Sequence, residues 1–119
     1  MKHIGIVLGL FCAIAMTTGT LRATTHVISF GGKLHNKYTP ASLTVAVGDT
    51  ILWQGDFEDH PLTLTKAPSG AATFEHIEKG KLFRYIVTVA GNYTYECDKH
   101  SDQGMTGSFI ADPPAAKID

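Results

Sequence analysis

Strict two-residue alternation of apolar and polar side chains is the feature that most constrains how this 119-residue chain folds. In NYTYEC, Tyr93, Tyr95 and Cys97 fall on one face and the polar residues between them fall on the other. Three further segments alternate in the same way: 42–47, 61–65 and 81–89. Such alternation is typical of a β-strand with one buried face. It therefore predicts that the Cys97 thiol points toward the interior.

Turn signals separate the predicted strands. Gly48–Asp49 lies between two of them, which predicts a β-hairpin over 42–54. A last short strand is expected at 107–111 and a single helical turn at 71–79, whereas no segment keeps a helical period over three turns. Seven or eight short strands between Gly/Pro turns predict an all-β domain, either a β-sandwich or a barrel.

The N-terminal segment has the order of a secretory signal peptide. A basic start precedes an apolar run at 4–16 and a small polar segment at 17–23. The apolar run is too short to span a bilayer, so no stable membrane insertion is expected. The sequence predicts a signal peptide over 1–23 with cleavage after Ala23, a mature domain over 24–119, and a periplasmic or secreted location.

Removal of this leader changes the cysteine count and the charge. Cys97 becomes the only cysteine, and an unpaired cysteine in an exported chain indicates an intermolecular bridge, a reactive thiol or a metal ligand. A lipoprotein signal at Cys12 is disfavoured, because Phe11 stands where a small residue is expected. Loss of Lys2 and Arg22 leaves eight basic and eleven acidic residues. This mild acidity argues against a nucleic-acid partner.

The segment CDKHSDQGM, which begins at Cys97, contains a set of metal-binding side chains. A thiolate, the imidazole of His100 and the thioether of Met105 lie within nine residues. Two histidines and a cysteine in a trigonal plane, with a weak axial methionine, form the electron-transfer copper site. His60 is the candidate for the second histidine, because it directly precedes a predicted strand and is thereby held by the scaffold.

Three segments together resemble the cupredoxins, the small blue copper proteins, and most closely the plastocyanin and pseudoazurin-like group: YTPASLTVAVGDTILWQ, DHPLTL and GNYTYECDKHSDQGM. The resemblance covers nearly the whole of 24–119. It implies a Greek-key β-sandwich or barrel that binds one copper, cycles it between Cu(I) and Cu(II), and acts as a mobile one-electron carrier rather than an enzyme. The implied partners of this monomer are a donor and an acceptor redox protein, such as a c-type cytochrome or a copper oxidase or reductase. The implied copper ligands are His60, Cys97, His100 and Met105.

The sequence departs from this family at two positions. Many members have an asparagine after the first histidine, whose N–H donates to the cysteine sulfur, but Pro61 has no N–H. A thiolate with fewer hydrogen bonds favours Cu(II), so we predict a lower reduction potential than in relatives with asparagine. At the second position, Lys99 stands where a proline often precedes the second histidine.

Two other functions are compatible with the pattern. A copper carrier or chaperone would move the metal itself, but would often carry additional methionine or histidine ligands. A sandwich domain used for binding or adhesion would have kept the fold without the metal. A Cys–His catalytic pair is disfavoured, because no motif supplies an oxyanion hole or an orienting third group.

The remaining polar and aromatic residues are given structural roles. Trp53 is predicted to lie in the core rather than to relay electrons. Three histidines are predicted to be surface residues without a ligand partner: His26, His35 and His76. Three acidic residues are interpreted as a solvated loop: Asp56, Glu58 and Asp59.

Overall fold

The computed structural model describes residues 23–114, so the predicted signal peptide lies outside them except for Ala23. Eight strands form this part of the chain: β1 Thr25–Phe30, β2 Tyr38–Thr39, β3 Ser42–Ala46, β4 Thr50–Gln54, β5 Leu62–Lys66, β6 Leu82–Ile86, β7 Gly91–Cys97 and β8 Thr106–Asp112. Two short 3₁₀ segments occur at Gly32–Leu34 and Ser101–Gln103. Within 23–114, no helix has the length and hydropathy needed to cross a membrane.

The strands form two four-stranded sheets that enclose the core. Their orders are β2-β1-β4-β6 and β3-β8-β7-β5. The β1–β4 and β3–β8 pairs are parallel, and the other pairs are antiparallel. The predicted all-β sandwich is confirmed.

The predicted hairpin over 42–54 is wrong, because β3 and β4 belong to different sheets. The turn between them crosses from one sheet to the other: the Val47 N–H donates to the Asp112 carbonyl at 2.9 Å, and the Gly48 N–H donates to the Val87 carbonyl at 2.8 Å. Gly48 has φ 104°, in the region that favours glycine. The sequence pattern indicates two strands and a turn, but it does not specify which strands pair.

The helical turn predicted for 71–79 is also wrong. This segment contains no helix and lies along the outer edge of β5, where Ile77 forms an isolated bridge to Leu62. Leu62 and Ile77 exchange backbone hydrogen bonds of 3.1 and 2.9 Å, and the Leu64 N–H donates to the Phe74 carbonyl at 3.0 Å. An edge strand leaves half of its backbone groups without strand partners, and this segment provides partners for those of Leu62 and for the Leu64 N–H.

Aromatic side chains fill the space between the sheets. Tyr93, Tyr95 and Cys97 are fully buried on the face that the alternation predicts. Tyr93 stacks on Phe109 with ring centroids 4.4 Å apart, and Trp53 packs edge-on to Tyr95 at 5.1 Å. Trp53 is fully buried, so its predicted place in the core is confirmed.

The β7–β8 pair sets the position of the two ends of the sandwich. Gly91 pairs with Ala111 at one end, and the Cys97 N–H donates to the Met105 carbonyl at the other end. Seven residues of strand span about 20 Å. The loop that carries the predicted copper ligands is therefore at the opposite end of the sandwich from the β3–β4 turn.

Candidate metal centre

The loop between β7 and β8 is held in place by its own backbone. The Cys97 N–H donates to the Met105 carbonyl at 3.0 Å, and the Met105 N–H donates to the His100 carbonyl at 3.1 Å. Gly104 has φ 90° and ψ 12°, a left-handed conformation that lets the chain turn back toward β8. Three of the four predicted ligands are thereby linked by a compact hydrogen-bonded turn.

His60 comes from a different part of the scaffold. Its N–H donates to the Asp56 carbonyl at 3.0 Å, and its ring meets that of Phe30 edge-on at 5.9 Å. A Cβ on Gly31 would lie 3.1 Å from His60 Cδ2, so this glycine leaves the space that the imidazole occupies. The next residue, Pro61, contacts the cysteine loop directly, since the Asp98 N–H donates to the Pro61 carbonyl at 2.8 Å.

The structure brings three of the predicted ligands into one cluster. Cys97 Sγ lies 3.8 Å from His60 Nδ1 and 3.5 Å from His100 Nδ1. One ligand atom from each of these residues lies within 4.8 Å of the other two. Met105 is fully buried and is bonded through its backbone to both Cys97 and His100. All four predicted ligand residues are therefore gathered at this end of the sandwich.

Burial and local dipoles set the protonation of this cluster. Burial lowers the pKa of His60, and the neighbouring His100 lowers it further. Burial raises the pKa of the Cys97 thiol, while the backbone amides of Lys99 and His100 oppose that increase. A neutral imidazole has a free lone pair, and the amides favour the thiolate. His60 is thus ready to bind a cation, whereas the raised pKa of Cys97 means that a cation must displace the thiol proton.

The donor set fits copper. A soft thiolate suits copper, and imidazole binds both of its oxidation states. Cys97 would bind the metal as a thiolate, whose buried charge a bound cation would balance. His60, Cys97 and His100 form the one converging group of three or more metal-binding His, Cys, Asp or Glu side chains within 23–114.

Three polar contacts around the cluster were not predicted from the sequence. Thr63 Oγ1 donates to Asp98 Oδ1 at 2.7 Å, and His76 Nδ1 lies 2.7 Å from Asp98 Oδ2. Asn36 Nδ2 donates to Gln103 Oε1 at 2.7 Å, which connects the ligand loop to the segment after β1. Asp98 could have been singled out from the sequence because it directly follows Cys97. Its partners Thr63 and His76 could not, because they lie far away in the chain.

The other histidines divide into two classes. His35 and His76 are exposed, as predicted, although His76 has Asp98 as a partner. The prediction for His26 is wrong: this histidine is half-buried, and its Nε2 lies 2.9 Å from Oδ2 of the buried Asp49. In the predicted acidic loop, Glu58 and Asp59 are exposed.

Comparison with known proteins identifies a relative of this chain. No family model matches the chain. The chain is 31% identical over 110 residues to plastocyanin from Synechococcus sp. (strain JA-2-3B'a(2-13)), a match that covers 82% of this chain and 81% of that protein.

Solved structures agree with this relationship. The pseudoazurin from Methylobacterium extorquens AM1 superposes with a TM-score of 0.61 at 21% identity, over 80% of this chain and 78% of that one, which shows the shared fold. A mutant amicyanin with Cu(I) superposes with a TM-score of 0.57 at 26% identity, over 74% of this chain and 82% of that one. The family and the copper cofactor predicted from the sequence are thereby confirmed. The chain belongs to the cupredoxins, the small blue copper proteins.

Proposed function

We propose that this protein is an exported electron carrier, which holds one type 1 copper through His60, Cys97, His100 and Met105 and passes single electrons between redox proteins. The convergence of His60 Nδ1, Cys97 Sγ and His100 Nδ1 within 4.8 Å is the observation that carries the proposal. When bound, the copper supplies a one-electron couple between Cu(I) and Cu(II).

The residues around the site support repeated electron transfer without large movement. The Cys97, His100 and Met105 backbones are hydrogen-bonded to one another, and His60 is packed between Phe30 and Gly31. Ligands that are fixed by their surroundings keep nearly the same positions in both oxidation states. Three protein donors with an axial thioether leave no position for a substrate, so we propose a carrier rather than an enzyme.

The exposure of the ligands supports a route for the electron. Cys97 and Met105 are fully buried, whereas His60 and His100 are partly buried. A redox partner that docks at this end of the sandwich would therefore meet a histidine first, and we propose His100, the histidine of the ligand loop. We propose a donor and an acceptor of the kinds expected from the sequence, such as a c-type cytochrome or a copper oxidase or reductase, which meet the carrier in the periplasm or outside the cell.

A stopped-flow experiment tests this function. The Cu(I) protein is mixed with an oxidised c-type cytochrome, while the blue copper band and the cytochrome band are followed together and a Cu(I) chelator reports released metal. We expect the blue band to appear as the cytochrome is reduced, with no transfer of copper to the chelator. Copper released to the chelator without cytochrome reduction would contradict the carrier role and indicate a protein that delivers the metal.

A pair of variants provides the matched control. His100→Ala removes a partly exposed ligand, and we expect it to abolish the blue band and the electron transfer. His35→Ala removes an exposed histidine outside the converging group, and we expect rates equal to those of the wild type.

A further inference from the structure

Asp49 is the one charged side chain among the buried residues of 23–114, with 6% of its surface exposed. Its Oδ2 accepts a hydrogen bond from the Ala46 N–H at 3.0 Å and lies 2.9 Å from His26 Nε2. Its Oδ1 accepts a hydrogen bond of 3.0 Å from the backbone nitrogen of Thr24. A buried carboxylate is tolerated only when it has such donors, so each contact has a physical role.

The two carboxylate oxygens serve different parts of the chain. Oδ2 binds Ala46, three residues earlier, and thereby closes the β3–β4 turn. Oδ1 binds Thr24, twenty-five residues earlier, which no local turn requires. Burial raises the pKa of Asp49, but hydrogen bonds from Thr24, Ala46 and His26 outweigh it, so that the pKa is lowered and the carboxylate is ionised.

Both backbone polar groups of Thr24, just before β1, are hydrogen-bonded: its nitrogen to Asp49 and its carbonyl to Thr50. Its carbonyl accepts a hydrogen bond from the Thr50 N–H at 2.9 Å, and strand pairing begins at the next residue, where Thr25 pairs with Thr50. Ala23, directly before it, is exposed. The backbone nitrogen held by Asp49 therefore belongs to the residue that follows the predicted cleavage point.

We propose that Asp49 is a binding site for the α-ammonium group of Thr24, which is created when a peptidase hydrolyses the Ala23–Thr24 bond. In this step the C–N bond breaks, water gives a hydroxyl to the Ala23 carbonyl carbon and a hydrogen to the Thr24 nitrogen, and the new amine takes up a proton. A single amide N–H is thus replaced by a cation beside an ionised carboxylate. Hydrogen bonds in which both groups are charged are stronger than those from a neutral amide.

The proposal is independent of the copper site, which lies at the other end of the sandwich. Processing therefore has a structural consequence, because cleavage places a positive charge beside the Asp49 carboxylate. The processed chain is therefore expected to be more stable than one that retains Ala23.

The first test is the N-terminal sequence of the copper-loaded protein, recovered after export of the full chain. We expect Thr24 as the first residue. A different first residue would overturn the proposal.

The second test measures how quickly an acylating reagent labels the α-amine of the copper-loaded protein, with the labelled peptides resolved by mass spectrometry. The comparison protein begins at Ala23, which moves the amine one residue away from Asp49. We expect the Thr24 amine to be labelled about tenfold more slowly than the Ala23 amine of the comparison protein. A tenfold difference corresponds to a rise of one unit in the pKa of the amine. Equal rates would overturn the proposal. The two proteins differ only in their first residue, so the comparison needs no substitution that could prevent folding.

A third comparison uses Asp49→Asn, with Asp112→Asn as the control because Asp112 is exposed. We expect the slow labelling of Thr24 to be lost only in Asp49→Asn. Slow labelling that persists in a folded Asp49→Asn protein would contradict the role of the carboxylate.

Discussion

The polar groups at the two ends of the sandwich differ in whether they find partners within the protein. At the β3–β4 end, the acceptor Asp49 is surrounded by donors, namely two backbone amides and His26. At the other end, Cys97 Sγ, His60 Nδ1 and His100 Nδ1 face one another as electron-pair donors. The first set is complete within the protein. The second set is complete only with a cation, and this difference distinguishes a structural cluster from a metal centre.

Loss of the Cys97 thiolate is expected to have the largest effect, because it removes copper binding at one end of the sandwich only. Cys97→Ser should abolish the blue band and weaken copper binding more than about 100-fold, since even residues that only support ligands contribute 10- to 100-fold. A competition titration with a copper chelator measures the change. Asp49→Ala serves as the matched variant from the other end, and its copper affinity should stay within about twofold of the wild type. A comparable loss of affinity in Asp49→Ala would show that the two ends are not independent.

Removal of the Asp49 carboxylate is expected to affect stability instead. Asp49→Ala leaves several donors without their acceptor and should lower the free energy of unfolding by about 3 kcal/mol. Asp112→Ala, which removes an exposed carboxylate, should change it by less than about 0.5 kcal/mol. Urea unfolding of the copper-loaded proteins measures both, and equal effects would contradict the role given to the buried cluster.

Acid should remove the contribution of Asp49 selectively. The pKa of Asp49 is lowered in the folded protein, so the folded state binds fewer protons than the unfolded state does. Its contribution is therefore complete above the unfolded pKa of about 3.9 and is lost as the pH falls through the lower, folded value. The difference in stability between wild type and Asp49→Ala should shrink below about pH 4. A difference that grows with acidity would refute this linkage.

Hydrogen bonding to the thiolate should tune the copper end by smaller amounts. Pro61 cannot donate to the sulfur, while the Lys99 amide partly opposes the burial that raises the pKa of the Cys97 thiol. Pro61→Asn should raise the reduction potential and Lys99→Pro should lower it, each by about 60 mV for a hydrogen bond worth about 1.4 kcal/mol. Voltammetry measures both changes. An unchanged or lowered potential in Pro61→Asn would contradict the hydrogen-bond explanation.

The smallest expected effect is a spectral shift caused by a change in the packing of Gly31 against His60. Gly31 (φ 76°, ψ −171°) lies in a region that is essentially restricted to glycine, and Gly32 also has positive φ (56°), so alanine strains the backbone at both positions and more strongly at Gly31. Only at Gly31 does a Cβ meet the His60 ring. Gly31→Ala should shift the blue absorption band, whereas Gly32→Ala should leave it in place. Identical spectra for the two variants would show that this packing does not position His60.

The sequence predicted local features better than long-range ones. The alternation in β7 correctly placed Tyr93, Tyr95 and Cys97 in the core, because alternation depends only on neighbouring residues. The partners of β3 and β4 could not be predicted, since a turn signal does not state whether the chain returns to the same sheet. The non-helical structure of 71–79 was not predicted, because it depends on hydrogen bonds to the edge of β5.

The candidate site shows the same division. The spacing of Cys97, His100 and Met105 within one loop was readable directly, and His60 followed from copper chemistry and family resemblance. The contact of His60 with Gly31 and the pairing of His26 with Asp49 were not readable, because they join residues more than twenty positions apart.

Anomalous diffraction at the copper edge, from crystals of the copper-loaded protein, tests the central claim most directly. We expect one copper per chain, bonded to His60 Nδ1, Cys97 Sγ and His100 Nδ1, with the Met105 thioether as a longer fourth contact. Copper bound at another position, or at this end without the Cys97 sulfur, would contradict it.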